Sequence, residues 1–177
     1  MGVIPVDSAV RASTGMRWAM PGAALLVVAA DQVSKSLILA SHVAGAGTGW
    51  VVVRLVRNTG ASGGIASGHP ELVTLAGLLI AAGAVMLTLR ARSRVTALCL
   101  AVACGGAVGN LSDRLLRSPG GGHGAVVDWI HVGGGGGSFN VADLAIQFGA
   151  LGAVIAMLAA ERAARPRRHA GEQPGEG

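Results

Sequence analysis

The chain has 177 residues, a net charge of +5 and only 13% charged residues, where a soluble domain carries about a quarter. Its residues are 51% hydrophobic and only 3% aromatic, with no Tyr, so small apolar side chains dominate and favour close helix–helix approach in a bilayer. The arginines flank apolar segments and form no basic stripe, which argues against a nucleic-acid-binding protein and for membrane topology signals.

Four segments reach the roughly 20 residues that a spanning helix needs. Residues 1–17 form an N-terminal tail carrying Arg11 and Arg17, and the first span covers 18–40. A cleaved signal peptide ending at Val28-Ala29-Ala30 is the competing reading. Apolar character resumes at Leu37-Ile38-Leu39-Ala40, so the stretch reads as one span interrupted by polar residues. The loop 41–69 holds Trp50-Val51-Val52-Val53-Arg54-Leu55-Val56-Arg57, a β-prone run that predicts a short sheet at the membrane surface.

Pro70 and Glu71 begin the second span, 70–89, because Pro tolerates the first turn and Glu favours a helix N-terminus. Arg90, Arg92 and Arg94 leave a tight turn before the third span, 95–116. The loop 117–139 contains Gly120-Gly121-Gly122 and Gly133 through Gly137, which predicts flexibility without fixed side-chain contacts. The fourth span covers 141–160, and the Ala/Arg/Gly/Glu-rich residues 161–177 predict a disordered tail. The fold class is therefore an all-α membrane protein with four transmembrane helices and a small extracytoplasmic β element, its core domain running over 18–160.

Both tails and the Arg90–Arg94 turn carry nine of the fourteen basic residues. The positive-inside rule puts them in the cytoplasm and the loops 41–69 and 117–139 outside.

Carboxylates are expensive at bilayer depth, roughly 2.5–3.5 kcal/mol on insertion scales. Glu71 is explained by its helix start, but Asp31, Asp113, Asp128 and Asp143 each lie in a short polar cluster. Asp31 and Lys35 form a favourable i, i+4 pair whose mutual neutralisation accounts for both. Asn110, Asp113 and Arg114 share one helix face, where an Asp113–Arg114 pair would hold helices together. Gly105, Gly106 and Gly109 precede them and allow a neighbouring helix to approach.

Asn140 suits an N-cap and puts Asp143 in the first turn of the fourth helix. There the helix dipole favours its ionised form, and a capping box would explain it without chemistry. Asp128 stands between Val126-Val127 and Trp129-Ile130, where burial should raise its pKa. Two carboxylates held in unlike environments suit general acid/base work.

Cys99 and Cys104 are five residues apart on one helix and cannot form a disulfide. The five histidines are scattered through loops and the tail, and no spacing suggests a metal site. Neither a metal nor a cofactor is expected.

Together, Asp31-Gln32-x-x-Lys35, Asn58-Thr59-Gly60-Ala61, Gly105-Gly106-x-x-Gly109-Asn110-x-x-Asp113-Arg114, Val126-Val127-Asp128 and Phe139-Asn140-x-Ala142-Asp143 resemble, in order and placement, the bacterial lipoprotein signal peptidase family (signal peptidase II). The resemblance covers about 18–160. It implies four transmembrane helices under an extracytoplasmic β-cradle in the bacterial inner membrane, with both termini cytoplasmic. It also implies an aspartyl endopeptidase that cleaves diacylglyceryl-modified prolipoproteins before the lipidated cysteine, with Asp128 and Asp143 as the catalytic pair. Asn58, Asn110, Arg114 and Asn140 would position substrate, Asp31, Lys35 and Asp113 would brace the site, and Gly60 and Ala142 would shape it.

The chain departs from the family pattern on the outer rim. Gly63 replaces a usual aromatic residue, the stretch from Arg114 to Asp128 is longer than usual, and that from Trp129 to Phe139 is nearly all Gly. A small proton-coupled transporter or channel subunit is the alternative, but the internal repeats or broken helices common in such proteins are not evident.

Overall fold

A computed structural model describes residues 6–41, 49–133 and 137–164, with side chains from residue 18 onward. Its elements are α1 (Val6–Ser41), β1 (Val51–Asn58), α2 (Pro70–Arg90), α3 (Arg94–Leu116), β2 (Val126–Val132), β3 (Ser138–Phe139) and α4 (Val141–Ala164). All four helices are long and apolar enough to cross a membrane, over Trp18–Ser41, Pro70–Arg90, Arg94–Leu116 and Val141–Ala163.

Both outer helices run past the expected spans. The helix of the first span begins at Val6, so most of the N-terminal tail is helical backbone. Likewise α4 continues through Ala164, four residues into the segment expected to be disordered. Residues 165–177 lie outside the described residues, as do the loop residues 42–48. Pro70 opens α2 with Glu71 in its first turn. Ser93 caps α3 by accepting the Thr96 N–H at 3.4 Å.

The central helix is α3, which packs against α1, α2 and α4, while α2 and α4 scarcely touch one another. Glycine makes this arrangement possible. A Cβ on Gly105 would lie 2.6 Å from the Ala24 carbonyl of α1, one on Gly106 would collide with the Ala142 carbonyl of α4, and one on Gly109 would lie 2.7 Å from Asp31 Oδ2. The expected close approach therefore serves two helices at once. Gly149 of α4 answers it, since a Cβ there would lie 2.7 Å from the Cys99 carbonyl. The outer faces of α1, α2 and α4 expose large apolar residues such as Leu26, Leu79 and Phe148, as lipid contact requires. Cys99 and Cys104 are free.

A three-stranded antiparallel sheet in the order β1-β2-β3 caps one end of the bundle. The β-prone run became β1 as expected. Its pairing with β2 was not foreseen, because the flanking glycines suggested a flexible loop. Val53 pairs with Ile130 and Val56 with Asp128, so Arg54 and Leu55 together face Trp129. Such a bulge bends the strand and re-aims the side chains beyond it.

The glycines after α3 are also fixed. The Gly121 N–H donates to the Leu115 carbonyl, those of Gly122 and Gly124 donate to the Arg114 carbonyl, each at 3.0–3.1 Å, and Thr74 Oγ1 donates to the Gly122 carbonyl at 2.6 Å. Glycine here permits a tight backbone turn, with Gly120, Gly121 and Gly122 all at positive φ. Residues 134–136 of the other Gly run lie outside the described residues.

Candidate active site

The sheet end of the bundle gathers residues from five elements. Asn140 is the hub. As the N-cap of α4 its Oδ1 accepts the Asp143 N–H at 3.0 Å, and Asp143 Oδ2 accepts the Asn140 N–H at 3.1 Å. This is the reciprocal capping box, here made with Asp. It uses one carboxylate oxygen and leaves Asp143 Oδ1 to accept from Asn110 Nδ2 at 2.8 Å. Capping and site membership are thus compatible.

The Nδ2 group of Asn140 donates to Asp128 Oδ1 at 2.7 Å and to Asn110 Oδ1 at 3.1 Å. One buried carboxamide therefore links both aspartates. Asn58, at the end of β1, donates to Asp128 Oδ2 at 3.1 Å and accepts the Gly60 N–H at 2.9 Å. Asp128 on β2 is only 2% exposed. Burial, reinforced by the charge of Asp143, pushes its pKa up to about 6, the direction expected from its apolar neighbours.

Beneath the pair lies a buried ionic cluster. Lys35 Nζ on α1 is 2.8 Å from Asp31 Oδ2 and 2.9 Å from Asp113 Oδ2, with all three side chains fully buried. It also donates to Asn110 Oδ1 at 3.0 Å. The expected two-residue neutralisation of Asp31 and Lys35 is therefore incomplete, because Asp113 shares the ammonium. Each carboxylate then holds a peptide N–H next to one of the paired aspartates. Asp31 Oδ1 accepts from Ala142 N at 3.0 Å, just before Asp143. Asp113 Oδ2 accepts from Val127 N at 3.1 Å, just before Asp128.

Asp113 does not pair with Arg114, as the shared helix face suggested. Its partner is Arg117, the C-cap residue just after α3, with Nε 2.6 Å from Asp113 Oδ1. Arg114 instead donates to the carbonyls of Thr59 and Gly60, pinning the loop after β1. That loop requires glycine at position 60, where a Cβ would lie 2.6 Å from the Ile65 carbonyl. Ala142 is fully buried against Gly109, which limits its size.

Two contributors were missed. Gln32 bridges Asp31 Oδ2, Asp113 Oδ1 and the Gly109 carbonyl at 3.0–3.1 Å, although it stands beside Asp31 in a quoted motif. Arg117 was detectable from its i, i+4 spacing to Asp113. Both were obscured by the assumption that each acid pairs with its nearest base in sequence.

Asn58, Asn110, Arg114, Asp128 and Asp143 line a cavity of about 810 Å³. It extends down the gap between α2 and α4, where Val73, Ala76, Gly77 and Ile80 form an apolar helical stripe. Among the described residues no group of three or more His, Cys, Asp or Glu is placed to hold a metal ion.

The family described as signal peptidase (SPase) II, Peptidase_A8, matches residues 23–159. The chain belongs to the signal peptidase II family. It is 39% identical over 138 residues to a lipoprotein signal peptidase of Rhodococcus jostii, covering 75% of this chain and 69% of that protein. The corresponding protein of Streptomyces griseus is 35% identical, with 87% and 81% covered. A solved bacterial membrane enzyme superposes with a TM-score of 0.70 at 25% identity, over 82% of this chain and 90% of that one. Membership makes this a multi-pass membrane aspartic peptidase.

Proposed function

We propose that this signal peptidase II removes the signal peptide of diacylglyceryl-modified prolipoproteins by water attack between Asp128 and Asp143. Family membership and the curated lipoprotein signal peptidases carry the activity. The observation that carries the residue assignment is Asn140, whose carboxamide donates to the Asp128 carboxylate and whose peptide N–H donates to the Asp143 carboxylate.

Two acids facing one site share a proton at working pH. Asp128, buried and titrating near 6, holds that proton and donates it to the scissile carbonyl oxygen. Asp143 removes a proton from water as the water oxygen bonds to the carbonyl carbon. Collapse of the tetrahedral intermediate breaks the C–N bond: the proton held on Asp143 goes to the leaving nitrogen, and the hydroxyl that re-forms the carbonyl returns its proton to Asp128. Because the titrations are coupled, the proton belongs to the pair between turnovers. Arg114 and Gly60 orient the rim, while the apolar stripe of α2 faces the lipid-modified part of the substrate.

Nine of the fourteen basic residues lie in 1–17, 90–94 and 161–177, which supports cytoplasmic termini in the inner membrane and a site at the outer face. This geometry delivers substrate laterally from the bilayer through the gap between α2 and α4. The deciding experiment is cleavage of a lipidated prolipoprotein by the purified protein, with Asp128→Asn and Asp143→Asn as controls. Release of the signal peptide by the wild type and neither variant is the expected result. Equal cleavage by all three would overturn the assignment.

A further inference from the structure

Gln147 is an exposed carboxamide on membrane-spanning α4, and its residue lines the cavity. No hydrogen bond of its side chain is found among the described residues, in contrast to Asn58, Asn110 and Asn140, which are all engaged. Leaving an amide without a partner in an apolar setting costs free energy, and a membrane span is where that cost is hardest to avoid. Exposed on the cavity wall, the Gln147 side chain is free to pair with a polar group that arrives with a ligand.

Its position narrows the choice. Gln147 lies one helical turn beyond Asp143, about 6 Å further from the sheet end along α4. Asn110 is level with Asp143, to which it is hydrogen-bonded, and Arg114 lies one turn nearer the sheet on α3. Gln147 is thus the deepest of these polar residues. Around it the wall is apolar, with Ile80 and Gly77 on α2, Ala107 on α3 and Ile146 on α4.

We propose that Gln147 recognises the diacylglyceryl group of the substrate by donating a hydrogen bond from Nε2 to an ester carbonyl. The inference rests on the peptidase reading above. In such a substrate the ester carbonyls are separated from the scissile bond by the cysteine side chain and glyceryl carbons, a reach comparable with one helical turn. They enter the apolar region with the acyl chains, accept hydrogen bonds and have no donor of their own to pair with. A signal-peptide helix satisfies its own backbone carbonyls and offers no such acceptor at this depth.

The test compares a diacyl prolipoprotein peptide with its dialkyl ether counterpart, which keeps the chains and lacks both carbonyls. Both are assayed in detergent micelles free of glycerolipid, with wild type, Gln147→Met and Gln147→Leu. The wild type should prefer the ester about threefold to tenfold in kcat/KM, the effect of about one neutral hydrogen bond. Both variants should bring the ester-to-ether ratio to within about twofold of unity, mainly by raising KM for the ester, while ether cleavage is retained.

A ratio unchanged by substitution, or a wild type without preference, would overturn the proposal while leaving the peptidase reading intact. A wild type inactive on both lipidated peptides would overturn that reading and this inference with it. Adding a diacyl phospholipid tests the other source of the same ester chemistry. Competition with the ester substrate in wild type alone is the result expected of the proposed site. If the ester preference appears only when phospholipid is present, Gln147 holds a membrane lipid and the substrate assignment fails.

Discussion

The ammonium of Lys35 on α1 lies 2.9 Å from Asp113 Oδ2 on α3, and both side chains are fully buried. Through Asp113 it supports the peptide N–H before Asp128, and through Asp31 the one before Asp143. Lys35→Met leaves two carboxylates within the same buried cluster. Breaking a buried pair costs about 3–5 kcal/mol, so the folded fraction in detergent should fall sharply. Asp31→Asn in the same background should restore part of it, since Asp31 has no other ion pair among the described residues whereas Asp113 keeps Arg117. A Lys35→Met protein as stable as wild type would show that the cluster does not hold α1 to α3.

Asp128→Asn and Asp143→Asn should each reduce turnover to background while expression and membrane insertion stay near wild type. The amide keeps size but can neither carry the charge nor exchange the proton. Asp31→Asn should behave differently, with part of its loss appearing as reduced abundance, because Lys35 loses a partner. Turnover per folded molecule separates the two classes. Clear residual turnover in either of the first two variants would remove that residue from the pair.

Asp128 titrates near 6 because of burial and the charge of Asp143, and the Asn58 hydrogen bond opposes that rise by favouring the carboxylate. As the proton donor, Asp128 must be protonated in the free enzyme, so kcat/KM should decline above about pH 6. Asn58→Leu removes an acceptor-satisfying donor, and the alkaline limb should move to higher pH. A carboxyl raised above its ordinary 3.8 stabilises the fold most below that value and loses the contribution as pH rises through about 6. Movement of the limb to lower pH in Asn58→Leu would contradict this account.

Gly106 faces the Ala142 carbonyl and Ile146 of α4, with no room for a Cβ. Gly106→Val should push α4 away from α3 and disturb the Asn110–Asp143 hydrogen bond. The expected result is a loss of stability of about 1–3 kcal/mol, typical of overpacking, together with a drop in turnover. Gly83, which has open space around it, supplies the control. Gly83→Ala should leave thermal stability and turnover near wild type.

The orientation is tested by cysteine labelling in a Cys-less background. Sites placed at 62–64 should react with an impermeant reagent from outside intact spheroplasts, and sites in the turn at 91–93 only after permeabilisation. The opposite pattern would invert both the topology and the side from which the site opens.

The sequence by itself determined the four spans, because length, hydropathy and arginine placement are local properties along one helix. It also pointed to most of the polar residues that gather at the sheet end, though not to Gln32 or Arg117, since the polar clusters stand out against an apolar background and occur in a family order. The strand at Val51–Asn58 was legible from its β-branched run. Its partner β2 was not, because pairing is a long-range property and the neighbouring glycines suggested looseness. Only the tertiary structure decided who pairs with whom. Asp113 faces Lys35 and Arg117 and not Arg114, because α1 approaches over Gly105 and Gly109 while the loop after β1 takes the Arg114 guanidinium. A helix repeat shows which side chains share a face, but the charge that neutralises a buried acid comes from whichever element packs against that face.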